Sequence, residues 1–218
     1  MTVATATPRR TQADRRAQTQ SALLESAARG LSRHGYANLV LERVAAEAGY
    51  TRGALYHLFA SKEDLALAVV AWVEEAWYAE VGTLFADAAD PIGTLIAVAR
   101  GHAVFCRRDI ARVMITLRSE FSGQDHPVGR KIREVERQLV ADCARLITAG
   151  RRSGAIPPGP PVRAMARGYL GAVEGLVINL AGQAPFDAVL AERAVRGVLG
   201  LPPAPGPAST APRPPEGP

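Results

Sequence analysis

Apolar residues along the chain recur at intervals of three and four, the spacing of one face of an α-helix. The first such stripe predicts a helix over 14–34. Short helices are predicted over 41–48 and 52–59, with Gly49 closing the former and Thr51 capping the latter. Two short helices joined by a glycine-containing turn are typical of a helix-turn-helix.

The remainder of the chain also has the helical pattern, with no convincing strand and no internal repeat. Ser61, with Asp64 three residues later, predicts the start of a long helix that ends near residue 85. Asp109 is predicted to cap a later helix. Proline and glycine delimit five further helices, over 91–106, 109–121, 128–149, 162–181 and 186–199. The sequence therefore predicts an all-α fold of about nine helices.

Composition restricts the class of protein only loosely. The net charge is +5 and almost all of the positive charge is arginine, since Lys62 and Lys131 are the only lysines. This charge suits a polyanionic partner, but an arginine-, alanine- and glycine-rich chain is equally typical of a GC-rich genome. Two cysteines form no disulfide framework, and no long apolar run or secretory signal is present, so we expect a cytoplasmic protein with no membrane segment.

Motifs for catalysis or metal binding are missing from the sequence. The four histidines have no metal-ligand spacing, and Cys106 and Cys143 form no CxxC pair. The chain has no phosphate-binding glycine loop and no G-x-S-x-G nucleophile motif. We therefore predict a protein that is not an enzyme and that has no metal ion or cofactor.

Residues 41–65 carry the most specific motif of the chain. They read LERVAAEAGYTRGALYHLFASKEDL. This segment resembles the DNA-binding signature of the TetR/AcrR family of bacterial regulators. The matching positions are Val44-Ala45, Ala48-Gly49, the run from Thr51 to Tyr56, Phe59, and the run from Ser61 to Leu65. Val40 departs from the family pattern, which commonly has a Thr or Ser cap there, so the second helix is expected to start less sharply or to use Asn38.

The resemblance implies that the helix over 52–59 enters a major groove of DNA, which is wide enough to admit a helix. Arg52 is the candidate for base recognition because its fork matches guanine. Small residues at Gly53 and Ala54 permit close approach to the bases. By resemblance and by chemistry, the candidate phosphate contacts are Thr51, Tyr56, His57 and Lys62. Alternatively, Tyr56 packs in the core and His57 caps a helix end.

The resemblance also divides the chain into four parts. They are a disordered basic arm over 1–12, a helix-turn-helix DNA-binding domain over 13–61, a helical effector-binding and dimerisation domain over 62–200, and a disordered proline-rich tail over 201–218. The helix over 162–181 is apolar on nearly every side, so we predict a homodimer through the last two helices. The alternative is a helix enclosed within the monomer.

An apolar cavity in the C-terminal domain is expected to bind the effector. The candidate lining residues are Trp72, Glu75, Phe105, Met114, Phe121 and Tyr169, each of which could instead be ordinary core. Glu120 is a further candidate for a polar ligand contact, with a salt bridge or solvent exposure as the alternative.

Together these features predict a ligand-responsive transcriptional regulator, a repressor that a small hydrophobic molecule releases from a double-stranded DNA operator. Two alternatives remain at this point. One is an effector-independent regulator or activator of the same fold, and the other is a helical ligand-binding protein without operator binding.

Overall fold

The computed structural model describes residues 11–87 and 89–204. This part of the chain contains nine α-helices and no strand, which confirms the predicted all-α fold. The helices are α1 (Gln12–His34), α2 (Leu41–Glu47), α3 (Arg52–Leu58), α4 (Lys62–Glu80), α5 (Pro91–Phe105), α6 (Arg112–Glu120), α7 (Pro127–Arg152), α8 (Val162–Leu180) and α9 (Phe186–Leu199). Two 3-10 segments, Gly82–Ala86 and Asp109–Ala111, precede α5 and α6.

Helix α1 begins two residues earlier than its apolar stripe predicts. The Thr11 hydroxyl accepts a hydrogen bond from the Asp14 amide at 3.1 Å, and the Thr11 amide donates to the Asp14 carboxylate at 2.9 Å. This reciprocal pair is a capping box, which satisfies two backbone donors at once. Thr11 and Gln12 therefore belong to the cap and the helix and not to the predicted arm. The other residues of that arm lie outside the described ranges.

The caps predicted for α3 and α4 are confirmed. The Thr51 hydroxyl accepts from the Ala54 amide at 3.2 Å, and the Ser61 hydroxyl accepts from the Asp64 amide at 3.0 Å. Helix α2 has no side-chain cap, because Val40 occupies that position. Asn38, the predicted substitute, instead donates to the carbonyl of His34 and so binds the end of α1.

Three other boundaries differ from the prediction by more than one residue. Helix α4 ends at Glu80, and a 3-10 segment covers the last residues that the pattern assigned to it. Asp109 lies within a 3-10 segment and does not cap α6, which begins at Arg112. Helix α7 extends to Arg152. The bounds predicted for the last helix are correct.

The chain forms two compact units. Unit 1 contains residues 11–83 and 105–139, and unit 2 contains residues 84–104 and 140–204. These units do not follow the boundary predicted after residue 61, which concerns function and stays a prediction. The described part of the predicted tail, residues 201–204, has no regular secondary structure, and the rest of the tail lies outside the described ranges.

Each unit has its own apolar core. In unit 1, α1 packs against α2, α4 and α6, and the fully buried leucines are Leu23, Leu31, Leu55, Leu65 and Leu117. In unit 2, α8 and α9 pack closely together, and the buried side chains include Leu95, Leu146, Ile147, Tyr169 and Leu199. The Tyr169 hydroxyl is satisfied by donating to the Leu95 carbonyl at 2.6 Å.

Both cysteines, Cys106 and Cys143, are buried free thiols. Burial raises the pKa of Cys143 to about 12, because the thiolate loses its solvation. None of the helices in the described ranges is sufficiently long and apolar to cross a membrane.

Candidate nucleic-acid interface

Helix α3 has one buried side and one exposed side. Leu55 and, just after the helix, Phe59 are buried in unit 1. The predicted DNA-binding residues lie elsewhere on the segment: Thr51, Arg52, Gly53, Tyr56 and His57 are exposed, and Ala54 is half-buried. Tyr56 is 41% exposed, so the alternative in which it packs in the core is wrong. The helix therefore offers polar side chains and a bare glycine backbone to solvent on the same short segment.

Arg52 is held between two neighbours. Its Nη1 lies 2.9 Å from Oε1 of Glu42 in α2, and its guanidinium carbon lies 5.3 Å from the centre of the Tyr56 ring. A hydrogen bond with the Tyr56 side chain and then the charge of Glu42 raise the pKa of Arg52 above its usual value. Sequence reasoning singled out Arg52 and Tyr56 but missed Glu42, whose spacing of ten residues from Arg52 carries no local signal.

Lys62, the first residue of α4, is half-buried beside the turn between α1 and α2. Its Nζ donates to the Ala37 carbonyl at 2.8 Å and lies 4.9 Å from the centre of the Tyr36 ring. An ammonium group has three donors, so this contact leaves capacity for a further acceptor. The phosphate contact predicted for Lys62 stays a prediction. The structure adds a second role, in which Lys62 holds the turn between α1 and α2.

Glu120, the last residue of α6, also binds this turn. Its two carboxylate oxygens accept from the amides of Tyr36 at 2.5 Å and Ala37 at 2.7 Å. Gly35 has φ +72°, and a Cβ there would lie 2.7 Å from Oε2 of Glu120. Both oxygens of Glu120 thus bind backbone amides, and the ligand contact considered for this residue stays a prediction.

A small aromatic cluster adjoins this turn. The Phe121 ring stacks on His126, with ring centres 4.3 Å apart, and both rings meet Tyr36 edge-on. The His126 Nε2 lies 3.5 Å from a carboxylate oxygen of Glu63 in the first turn of α4. Phe121 thus packs in the core of unit 1, around the start of the helix-turn-helix.

The six predicted effector contacts are divided between the two units. Trp72 and Met114 are half-buried and Glu75 is exposed in unit 1. Phe105, also in unit 1, is buried with the Arg108 guanidinium 5.2 Å from its ring centre. Tyr169 belongs to unit 2, where its hydroxyl is already bonded. The structure does not gather these residues in one compact unit, and their role stays a prediction.

Unit 2 contains one histidine, the half-buried His102. Desolvation lowers the pKa of His102, on α5, to about 4, and the charge of Glu174 on α8 opposes this shift. The imidazole is therefore neutral at pH 7. Among the described residues, no cluster of three or more histidine, cysteine or carboxylate side chains could hold a metal ion.

Helices α8 and α9 each leave one side open to solvent. On α8, Gly171 and Gly175 are exposed, and Ile178 is 59% exposed. On α9, Phe186 is 63% and Val189 is 42% exposed. Within the described ranges, α8 buries only the side that carries Met165, Tyr169, Val173 and Val177. The alternative of a helix enclosed within the monomer is thus not supported.

Comparison with known proteins gives a match over the segment that contains α2 and α3. Residues 23–69 match the model of the bacterial regulatory proteins of the tetR family. The HTH-type transcriptional regulator CymR of Pseudomonas putida is 42% identical over 67 residues, which are 31% of this chain and 33% of CymR. The chain therefore matches about a third of the length of this curated relative.

Solved structures extend the likeness of fold to most of the chain. A TetR-family transcriptional regulator of Streptomyces coelicolor has a TM-score of 0.69 at 22% identity, over 84% of this chain and 95% of that one. FadR of Bacillus subtilis, solved with stearoyl-CoA, has a TM-score of 0.67 at 19% identity, over 82% and 97%. The fold and the matched segment define a helix-turn-helix protein with a helical C-terminal part. Residues 23–69 match the DNA-binding region of the tetR family of bacterial regulatory proteins, and the fold is similar to that of solved TetR-family regulators.

Proposed function

We propose that the protein is a transcriptional repressor that binds a double-stranded DNA operator as a homodimer and is released by a small hydrophobic molecule. The observation that carries this proposal is the exposed side of α3, where Arg52, Tyr56 and His57 project from a segment that matches the tetR-family model. The cytoplasm is the expected location because the proposed partner is operator DNA.

Docking of α3 in a major groove follows from its size and its chemistry. The groove admits one helix, and an arginine fork can bind O6 and N7 of guanine. Gly53 lets the backbone approach the base edges, and the exposed hydroxyls and imidazole of Thr51, Tyr56 and His57 suit phosphate oxygens. The net charge of +5 strengthens such binding at low salt, because released counterions supply much of its free energy.

A homodimer through α8 and α9 is supported by the apolar side chains that these helices leave exposed. Ile178, Phe186 and Val189 are large apolar residues open to solvent, and the bare glycines of α8 permit another helix to approach closely. A two-fold contact buries such a surface on both copies at once. Two copies of α3 would then meet the two halves of a pseudo-palindromic operator.

Release by an effector requires that the ligand bind one conformation of the dimer more tightly than another. The same differential affinity sets how far DNA binding weakens. FadR of Bacillus subtilis was solved with stearoyl-CoA and shares this fold, so acyl-coenzyme A thioesters are the first compounds to test.

The proposal is tested by selecting duplexes from a random pool with the full-length protein and measuring affinity for the selected sequence. We expect wild type to select a pseudo-palindrome, and Arg52→Ala to lose discrimination at one base pair of each half-site by about 5- to 150-fold. Arg137→Ala, which removes another exposed arginine, from α7, is the matched control and should bind as wild type does.

Two results would contradict the proposal. A wild-type protein that enriches no sequence, with weak binding to every duplex, would overturn operator binding. Operator affinity that is unchanged by a series of acyl-CoA thioesters and other apolar compounds would overturn release by a hydrophobic effector while leaving DNA binding intact.

A further inference from the structure

The contact between α2 and α3 contains a charged residue that the docking described above does not use. Glu42 is exposed on α2, and its carboxylate lies 2.9 Å from Nη1 of Arg52. The Tyr56 ring lies against the same guanidinium group, one helical turn further along α3. Arg52 is therefore fixed on two sides although it is open to solvent.

We propose that Glu42 is a specificity-determining residue that acts through Arg52, by orienting its guanidinium group for guanine and weakening its contacts with phosphate. This inference rests on the proposed operator binding. Glu42 positions the reading side chain and does not itself contact a base.

The donor geometry of arginine makes this role possible. A guanidinium group has five N–H donors in a fixed plane, and a carboxylate at Nη1 leaves others free for O6 and N7 of guanine. Because the side chain is already ordered between Glu42 and Tyr56, less rotamer entropy is lost when Arg52 meets the base.

The negative charge of Glu42 also favours specific over non-specific DNA binding. A free arginine binds a phosphate wherever the protein meets DNA, and such contacts carry no sequence information. A carboxylate beside the guanidinium reduces the local positive charge and is repelled by phosphates, so it disfavours non-specific complexes. Direct, planar contact with guanine is affected less because it depends on geometry as well as charge.

Stability does not account for this ion pair. Exposed pairs contribute little to folding, since solvent screens them and two long side chains must be ordered. Glu42→Gln is therefore expected to unfold at the same denaturant concentration as wild type. A role confined to the fold would show itself in that measurement and not in base discrimination.

The test measures, for each variant, the ratio of affinities for the selected operator and for an operator with the guanine read by Arg52 replaced. Glu42→Gln should lower this ratio by about two- to fivefold and raise affinity for unrelated duplex DNA. Glu47→Gln removes an exposed carboxylate at the other end of α2 and is the matched control for charge; it should leave the ratio unchanged.

The same substitution in an Arg52→Ala background separates positioning from direct reading. If Glu42 acts through Arg52, Glu42→Gln has no further effect on the ratio there. A persistent effect would show that Glu42 reads a base itself and would overturn the inference. If wild type, Glu42→Gln and Glu47→Gln all discriminate between the two operators equally well, the inference about Glu42 is wrong and the proposed operator binding still stands. If wild type itself does not discriminate between them, the proposed function and this inference are both wrong.

Discussion

Lys62 shows how one side chain can serve both a turn and a proposed partner. Its ammonium group lies 4.9 Å from the centre of the Tyr36 ring and donates to the Ala37 carbonyl. The family resemblance predicts that Lys62 binds a DNA phosphate. The structure adds its contacts with Tyr36 and Ala37 in the turn between α1 and α2. Both turn contacts are made by the ammonium group, so any substitution that removes it affects the turn as well, and the salt dependence of DNA binding is the measurement that reports a phosphate contact.

We expect Lys62→Met to weaken binding to operator and to unrelated duplexes by similar factors. The slope of log affinity against log salt concentration should become shallower by about 1 for each half-site, and so by about 2 for the dimer, because one fewer counterion is released per half-site. Lys131→Met is the control, since Lys131 is the other lysine of the chain and is paired with Glu74 at 2.9 Å. Equal salt slopes for wild type and Lys62→Met would show that Lys62 contacts no phosphate.

At the scale of elements, residues of α4 and α6 hold the turn between α1 and α2 in place. Glu120 at the end of α6 binds two consecutive amides of this turn, and Lys62 binds the carbonyl of the second residue. Because α2 follows directly, these contacts fix where the helix-turn-helix begins. A carboxylate that accepts two backbone donors forms hydrogen bonds stronger than those of neutral groups.

Glu120→Gln should therefore destabilise the protein by about 1–3 kcal/mol, because the amide nitrogen that replaces one oxygen cannot accept from a backbone N–H. The measurement is denaturant unfolding at a fixed protein concentration, since association changes apparent stability. Glu134→Gln, at an exposed site on α7, controls for the loss of charge. A stability equal to that of the control would show that the turn does not depend on Glu120.

Local sequence signals predicted most helices and caps. The errors have two causes, a 3-10 segment that resembles an α-helix in its spacing and a contact between residues far apart in sequence. Thr51 and Ser61 were identified because a capping residue and its partner lie three positions apart. The end of α4 was placed too late because a 3-10 segment buries apolar residues at a spacing close to that of an α-helix. The role of Glu120 in binding the turn was missed because its partners are 83 and 84 residues away in sequence.

At the scale of the whole molecule, the proposed function depends on association of two copies. The exposed apolar residues Ile178, Phe186 and Val189 of α8 and α9 form the surface proposed for this association. A pseudo-palindromic operator is bound tightly only when both halves are occupied together, so dimerisation and operator affinity should fall together.

Ile178→Glu should raise the dimer dissociation constant by about 30-fold or more, because the two-fold axis places the new charge in the interface twice. Analytical ultracentrifugation measures this directly, and operator affinity should decrease in parallel. Val104→Glu introduces the same charge at an apolar residue of α5 that is 47% exposed, and it should remain dimeric. If Ile178→Glu and Val104→Glu associate equally well, the dimer forms through another surface.

The positive φ of Gly35 links two distant positions of the sequence in evolution and in design. A methyl group at residue 35 would collide with the carboxylate of Glu120, and any side chain there would also have to adopt a φ of +72°, which L residues rarely do. A shorter side chain at residue 120 would remove the collision, but it would release the amides of Tyr36 and Ala37 and leave the backbone strain. Mutagenesis libraries that diversify the turn between α1 and α2 should accordingly keep Gly35 and Glu120 fixed together.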